Sequence, residues 1–138
     1  MTMKMIFVNL PVTDLAQAKA FYEALGFTNN ARFSDDSSAC MVWSETIHVM
    51  LHTHSKWSGF TSRPIPPTTS SEVMLAISCE SREAVDGIND AAAAHGGQAD
   101  INPKQDLGFL YNRNLADPDG HVWEAVWMDM SAVASAAA

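Results

Sequence analysis

Alternation of apolar and polar residues near the start of the chain predicts a strand followed by a helix. Over Ile6–Val12, every second residue from Val8 onward is apolar, which is the side-chain period of a strand. Asp14 then begins a helix as its N-cap, and Gly26 ends the helix. Apolar residues at helical spacing predict the buried face of this helix, namely Leu15, Ala18, Phe21, Tyr22 and Leu25.

The same order of elements occurs twice along the chain. Short runs rich in apolar and β-branched residues, separated by turn residues, predict strands at 28–33, 39–43, Ile47–Thr53, 73–79, 98–102, 109–115 and 121–128. A second helix, capped by Ser81, follows the strand at 73–79. Each half therefore reads β-α-β-β-β, which is an internal repeat at the level of the fold.

A proline-rich segment separates the two repeats. Residues 55–71 contain three prolines among many serines and threonines, so this segment cannot be a central strand. We predict a single α+β domain over 1–130, made of βαβββ modules at 4–54 and 72–130 that this linker joins. The small-residue tail at 131–138 is predicted to be flexible.

Composition argues against several classes of function. Eight basic and 16 acidic residues give a net charge of −8 without a basic cluster, which argues against nucleic-acid binding. No apolar run approaches the roughly 20 residues of a membrane span, and the first residues lack the pattern of a secretory signal. Cys40 and Cys79 lie far apart in apolar runs, as reduced thiols do. We therefore expect a cytoplasmic protein that binds neither nucleic acid nor membrane.

One carboxylate is isolated in the last predicted strand. The sequence Asp117-Pro118-Asp119-Gly120 is a strong turn signal, and the strand after it carries Glu124 among apolar neighbours. Such a carboxylate is paired, binds a metal or faces a cavity, because burying it bare costs too much free energy. Two interpretations stay open, a structural hydrogen-bonded group and a group that contacts a ligand or acts as a catalytic acid or base.

These features resemble the vicinal oxygen chelate superfamily, which holds glyoxalase I, bleomycin-resistance proteins, fosfomycin-resistance proteins and extradiol dioxygenases. Residues 7–27 and 117–124 carry the resemblance, and with the order of strands it covers residues 4–130. It implies two βαβββ modules that form a curved mixed sheet around a concave pocket, with the helices outside. The resemblance does not imply a particular reaction, because unrelated chemistries share this fold.

The resemblance also implies a divalent metal in the concave pocket, but the residues here suit one poorly. The corresponding positions hold Phe7, Met50, Met74 and Glu124. Phenylalanine has no donor atom, and a thioether is a poor ligand for hard or borderline divalent cations. We therefore expect no metal cofactor. The alternative is a relocated site for Zn, Ni, Mn or Fe, built from Glu124 with His52 and His54.

Several polar residues are candidates for lining the pocket. The two-residue period of a strand places His48, Met50 and His52 on one side, and Asn9 on the same side as Phe7. Similarity to fosfomycin-resistance proteins implies that Asn112 and Asn114 face the cavity, whereas Arg113 points away. The predicted ligand-binding residues are Asn9, His48, Met50, His52, Met74, Asn112, Asn114 and Glu124.

Two aromatic residues of the linker also have two interpretations. Trp57 and Phe60 can form a mobile lid or rim over the cleft, as aromatic loops often do. They can equally belong to an anchored interface segment.

The leading functional hypothesis is metal-independent binding of a small organic molecule, as in sequestering proteins of the bleomycin-resistance type. One alternative is a metal-dependent lyase, isomerase or dioxygenase-like enzyme that uses Glu124 with His52 or His54. A module that binds another protein is a third possibility. Short members of the superfamily often build their clefts with a partner chain, so the resemblance also implies a homodimer.

Overall fold

The chain folds as two units, and a helix packs against the sheet of each one. The computed structural model describes residues 2–132, with unit 1 extending to Ser70 and unit 2 beginning at Ser71. Hydrogen bonding divides the strands into two separate sheets, one in each unit. Of the tail predicted at 131–138, residues 133–138 lie outside the described residues.

Unit 1 contains a four-stranded sheet. Its elements in chain order are β1 (Ile6–Val12), α1 (Leu15–Leu25), β2 (Thr28–Asn30), β3 (Ser38–Ser44), β4 (Ile47–Thr53) and the short helix α2 (His54–Ser58). The strand order is β1-β4-β3-β2, so β1 lies at an edge. Strand β1 runs parallel to β4, and the other neighbouring strands are antiparallel.

Local hydrogen bonds at both ends explain the bounds of α1. The Asp14 carboxylate accepts a hydrogen bond from the backbone N–H of Gln17 at 3.0 Å, which confirms the predicted N-cap. Gly26 adopts the left-handed conformation with φ 111°, and its N–H donates to the carbonyl of Glu23. A glycine suits this C-cap because other residues are strained there.

The core of unit 1 lies between α1 and one face of the sheet. Helix α1 packs against β3 and β4. The largest fully buried side chains are Phe21 and Tyr22 of the helix and Val12, Met41, Val49 and Leu51 of the strands. Because side chains alternate along a strand, the residues between these positions lie on the opposite face of the sheet.

Unit 2 repeats this arrangement. Its elements are β5 (Met74–Ser78), α3 (Arg82–Ala94), β6 (Gln98–Ala99), β7 (Gln105–Asp106), β8 (Leu110–Ala116) and β9 (Val122–Met128). The strand order is β5-β9-β8-β6, with β5 parallel to β9 and the short strand β7 paired to β8. Helix α3 packs against β8 and β9, and Ser81 caps it by accepting from the N–H of Ala84.

The predicted α+β class with two βαβββ modules is confirmed, and the differences are local. The strand predicted at 28–33 ends at Asn30, whose side chain accepts from the N–H of Arg32 and favours a 3₁₀ turn at Ala31–Phe33. Helix α2 begins at His54, the last residue of the predicted first module, and extends into the predicted linker, and the hydroxyl of Thr53 caps it. None of the described helices is long and apolar enough to span a membrane.

Candidate functional site

The face of the unit 1 sheet opposite α1 carries most of the chemically active side chains of this unit. Strand pairing places them in three rows, and each row has one residue of β1, one of β4 and one of β3. The rows are Phe7–His48–Val42, Asn9–Met50–Cys40 and Pro11–His52–Ser38. The predicted residues Asn9, His48, Met50 and His52 therefore share one face. We call it the open face of unit 1.

His52 forms the centre of a hydrogen-bond chain on the open face. Its Nδ1 lies 2.7 Å from the hydroxyl oxygen of Ser38, and its Nε2 lies 2.8 Å from Oδ1 of Asn9. An amide oxygen only accepts, so Nε2 carries the proton and Nδ1 accepts from the Ser38 hydroxyl. Both ring nitrogens are thus engaged, and the imidazole is held neutral.

Burial supports the same protonation state. His52 is only 4% exposed, and desolvation lowers the pKa of its imidazole. The positive charge of Lys56 lowers that pKa further, whereas the carboxylate of Asp35 acts in the opposite direction. With its proton on Nε2, His52 donates to Oδ1 of Asn9.

An open cleft lies next to this hydrogen-bond chain. It has a volume of about 320 Å³ and is lined by Asn9, Trp57, Phe60 and Thr61. The ring of Phe60 meets His52 edge-on at 4.9 Å between centroids, and Trp57 lies 6.4 Å from His52. Since His52 occupies Oδ1 of Asn9, the amide nitrogen of Asn9 stays available to donate a hydrogen bond into the cleft.

His48 is held by a different set of contacts on the open face. Its ring stacks on Phe7 at 4.8 Å with an interplanar angle of 22°. Its Nε2 lies 3.0 Å from the backbone carbonyl of Glu45, which requires that Nε2 carry the proton. The lone pair of Nδ1 consequently faces Cys40, whose sulfur lies 4.0 Å away.

The remaining predicted residues share the face of the unit 2 sheet that lies opposite α3. Asn114 pairs with Glu124, Asn112 with Val126, and Met74 with Val122 across the strands. Asn114 accepts from Asn102 at 2.7 Å, and Asn112 donates to Gln105 at 3.1 Å. Glu124 is half-buried, and its carboxylate accepts no hydrogen bond from any described residue.

Arg113 lies on the opposite side of β8, as predicted. Its guanidinium hydrogen-bonds to Asp86 of α3 at 2.9 Å and to Asp100 at 2.8 and 2.9 Å. The hydrogen bond from the Tyr111 hydroxyl, followed by that from Arg113, lowers the pKa of Asp86, and the hydrogen bond from Arg113 lowers the pKa of Asp100. Arg113 therefore joins the helix to the sheet and does not face the same side as Asn112 and Asn114.

The residues at the superfamily's metal positions do not fit a divalent cation. Phe7 offers no donor, Met50 and Met74 offer thioethers, and only Glu124 offers oxygen. Within either unit, the described residues include no group of three or more His, Cys, Asp or Glu side chains placed to hold a metal. The relocated site of His52, His54 and Glu124 stays a prediction. It would require His52 to lose one of its two hydrogen bonds, and His54 is the first residue of α2.

Comparisons with known proteins agree with this fold. Residues 4–44 match the family model described as bleomycin resistance protein-like N-terminal. A hypothetical protein from S. aureus is similar, with 24% identity, a TM-score of 0.76, and coverage of 91% of this chain and 95% of that one. Among curated proteins, none matches the sequence.

Two further solved structures carry family names. A glyoxalase/bleomycin resistance protein/dioxygenase family enzyme from Burkholderia phytofirmans PsJN is 18% identical, with a TM-score of 0.73 and coverage of 91% of this chain and 99% of that one. A glyoxalase/bleomycin resistance protein from Albidiferax ferrireducens T118 is 25% identical, with a TM-score of 0.68 and coverage of 88% and 95%.

The chain therefore has the fold of the glyoxalase/bleomycin resistance/dioxygenase proteins, also described as the vicinal oxygen chelate superfamily, and residues 4–44 match one of its family models. The resemblance seen in the sequence is confirmed. This likeness establishes the fold and leaves the reaction or ligand open, because proteins with one fold differ in chemistry.

Sequence patterns did not identify every residue of the open face. Trp57 and Phe60 were singled out as a lid or an interface segment, and they line the cleft together with Thr61. Ser38 and Cys40 had no functional interpretation. Only the antiparallel pairing of β3 with β4 places them beside His52 and Met50, and a single sequence gives no signal for that register.

Proposed function

We propose that this protein binds a small organic molecule in the unit 1 cleft without a divalent metal. The observation that supports the proposal is the amide of Asn9, which His52 orients and which lines a cleft together with Trp57 and Phe60. Pockets for small ligands commonly combine apolar walls with a few well-placed polar groups. The donor chemistry of Phe7, Met50 and Met74 supports independence from divalent metals.

The cleft favours a flat, unsaturated ligand with an oxygen acceptor. Trp57 and Phe60 provide aromatic surface, and Phe60 is 59% exposed, so its ring is accessible to a ligand. The free N–H groups of Asn9 donate, so the complementary atom on the ligand is a carbonyl or similar oxygen. A volume of about 320 Å³ lies at the lower end of the range for ligand pockets, which favours a compact molecule.

The polar residues of unit 2 stay predicted ligand contacts. Met74, Asn112, Asn114 and Glu124 share one face of their own sheet. Of these, Glu124 has a carboxylate that no described residue engages by a hydrogen bond. We therefore propose that Glu124 contacts a ligand on the face of unit 2, and Glu124→Gln tests this by removing the charge while keeping the shape.

Calorimetric binding of 2-naphthamide, with naphthalene as the analogue that lacks the amide, tests the proposed cleft. Phe60→Ala is expected to weaken 2-naphthamide binding about tenfold, because part of the aromatic wall is lost. Phe33→Ala is the matched control, since Phe33 is 64% exposed in the same unit but does not line the cleft. Asn9→Leu should weaken the binding of 2-naphthamide more than the binding of naphthalene. Equal losses in Phe60→Ala and Phe33→Ala would contradict the proposed cleft.

Elemental analysis of protein purified without chelator tests independence from divalent metals. The expected content of Zn, Ni, Mn and Fe is far below one ion per chain. One bound divalent ion per chain would favour the metal-dependent lyase, isomerase or dioxygenase-like alternative instead. In that case Glu124→Gln should release the ion.

We also propose that the protein forms a homodimer. Strands β1 and β5 are both sheet edges, and Ile6, Phe7 and Met74 on them are 53–60% exposed. Open edges with apolar side chains gain stability when they are covered. Light scattering should therefore give twice the chain mass of 15.0 kDa, and a mass of one chain across micromolar concentrations would contradict this proposal.

A further inference from the structure

A second group of side chains on the open face has no part in the proposed cleft. Cys40 of β3 lies directly opposite Met50 of β4, and His48 lies two residues before Met50 on the same face. Directly opposed residues in an antiparallel pair have Cβ atoms about 4.5–5.5 Å apart, so the thiol and the thioether are neighbours. The imidazole Nδ1 of His48 lies 4.0 Å from the sulfur of Cys40.

The lone pair of His48 is directed at this group by hydrogen bonding. In the neutral ring, Nε2 donates to the carbonyl of Glu45 and Nδ1 is the unprotonated nitrogen. The ring is also fixed by stacking on Phe7. A neutral imidazole whose second nitrogen is held by a backbone carbonyl is the usual form of a histidine that binds a metal.

The separation of the two atoms suits a cation of low coordination number. With metal–sulfur and metal–nitrogen bonds of about 2.3 and 2.0 Å, the donors would be about 3.5 Å apart at a tetrahedral centre and about 4.3 Å apart at a linear one. The observed 4.0 Å lies between a trigonal and a linear arrangement. The thioether of Met50, directly across the strand pair from Cys40, is the candidate third donor.

We infer that Cys40, His48 and Met50 form a binding site for a soft monovalent cation of the Cu(I) type. Thiolate and thioether ligands select Cu(I) over hard or borderline divalent cations. The thioether of Met50, which is unsuited to the superfamily's divalent metal, is therefore suited to this cation. On binding, the S–H bond of Cys40 breaks, a sulfur–metal bond forms and the proton passes to solvent, while the cation keeps its oxidation state.

Anaerobic competition for Cu(I) against the chromogenic chelator bicinchoninate tests the site in the whole protein. Wild type is expected to remove one equivalent of Cu(I) from the chelator. Cys40→Ser should lower the affinity at least about 100-fold and Met50→Leu about tenfold, because each removes one soft donor. Cys79→Ser is the matched control, since Cys79 is the other free cysteine and lies in unit 2. It should bind as wild type does.

Several outcomes would overturn the inference. They are failure of wild type to compete with bicinchoninate, retention of full affinity in Cys40→Ser, and loss of affinity in Cys79→Ser. X-ray absorption of the Cu(I) complex gives a second readout, which should show two sulfur neighbours and one nitrogen, whereas two nitrogens or a single sulfur would exclude this donor set. The result is independent of the proposed function, which is tested by organic probes and divalent metal content.

Discussion

At the scale of single residues, His52 connects the buried part of unit 1 with its cleft. Both of its nitrogens are engaged, one by the buried hydroxyl of Ser38 and the other by Asn9. His52 does not need to touch a ligand to matter for binding. It holds the amide of Asn9 in one orientation, and a polar group with a fixed orientation binds its partner at a smaller entropic cost.

His52→Ala is therefore expected to lower the free energy of unfolding by about 2–4 kcal/mol, because it leaves the Ser38 hydroxyl buried without its partner and opens a cavity. Urea denaturation monitored by circular dichroism measures this change. His54→Ala is the control. His54 is exposed at the start of α2, and a change there should fall within about 0.5 kcal/mol of wild type. Equal effects of the two substitutions would show that the chain through His52 is not structural.

The lowered pKa of His52 predicts a particular dependence of stability on pH. The imidazole takes up a proton more readily in the unfolded chain than in the folded one, so the unfolded state binds more protons below the unfolded pKa of about 6.5. The free energy of unfolding should fall as pH decreases from about 6.5 through the lower pKa of the folded state. His52→Gln lacks this contribution and should lose less stability between pH 7.5 and 5.5 than wild type. An identical loss of stability in His52→Gln and wild type would contradict the lowered pKa of His52.

At the scale of elements, replacing glycine with alanine is expected to change stability in opposite directions at two positions, one at the end of α1 and one inside α3. Gly26→Ala should lower the free energy of unfolding by about 1–2 kcal/mol, because Gly26 has φ 111° at the end of α1. Gly87→Ala in α3 should raise it by about 0.5–1 kcal/mol, since Gly87 is exposed and an added Cβ meets nothing within 4 Å. Thermal denaturation of both variants measures the direction of each change in stability. A change in the same direction for both would contradict these helix bounds.

Helix α3 is joined to its sheet by two arginines of different burial. The side chain of Arg113 is 13% exposed, and Arg113→Met should lower the free energy of unfolding by about 1–3 kcal/mol because Asp86 and Asp100 lose their shared partner. Arg82 pairs with Asp106 at the surface and stacks on Tyr111 and Trp127. Arg82→Met should cost less, because water screens an exposed pair. A larger loss of stability in Arg82→Met than in Arg113→Met would contradict this ranking of the two arginines.

The elements show how far sequence patterns predict this fold. Alternation and capping predicted β1, α1, β4 and α3 within a few residues, since these signals are local. Helix α2 and the two-residue strand β7 were missed. Each is too short for periodicity to show, and the cap of α2 depends on one threonine hydroxyl.

The candidate site was less predictable than the elements. The two-residue period of a strand predicts on which face of its own strand Asn9 lies, and does the same for His52. Their hydrogen bond depends on the parallel pairing of β1 with β4, which joins residues 43 positions apart. The link from Cys40 to His48 depends on the register of β3 with β4. Register is a tertiary property, and one sequence does not determine it.

At the scale of the whole molecule, the two repeats share a fold and differ in chemistry. The open face of unit 1 holds imidazoles, a thiol and an aromatic-walled cleft. The corresponding face of unit 2 holds amides and the carboxylate of Glu124. At the positions where the resemblance predicts a divalent metal, only Glu124 offers an oxygen or nitrogen ligand. Function in this chain is therefore expected to depend on side chains that the fold itself does not specify.

An NMR titration of the ¹⁵N-labelled protein with 2-naphthamide tests the central claim most directly, carried out once in EDTA and once with Zn²⁺ or Ni²⁺ added. The account predicts that the side-chain amide of Asn9 and the indole N–H of Trp57 shift together, with the same dissociation constant in both conditions. Shifts that need the divalent ion, or that leave Asn9 and Trp57 unchanged, would contradict metal-independent binding in the unit 1 cleft.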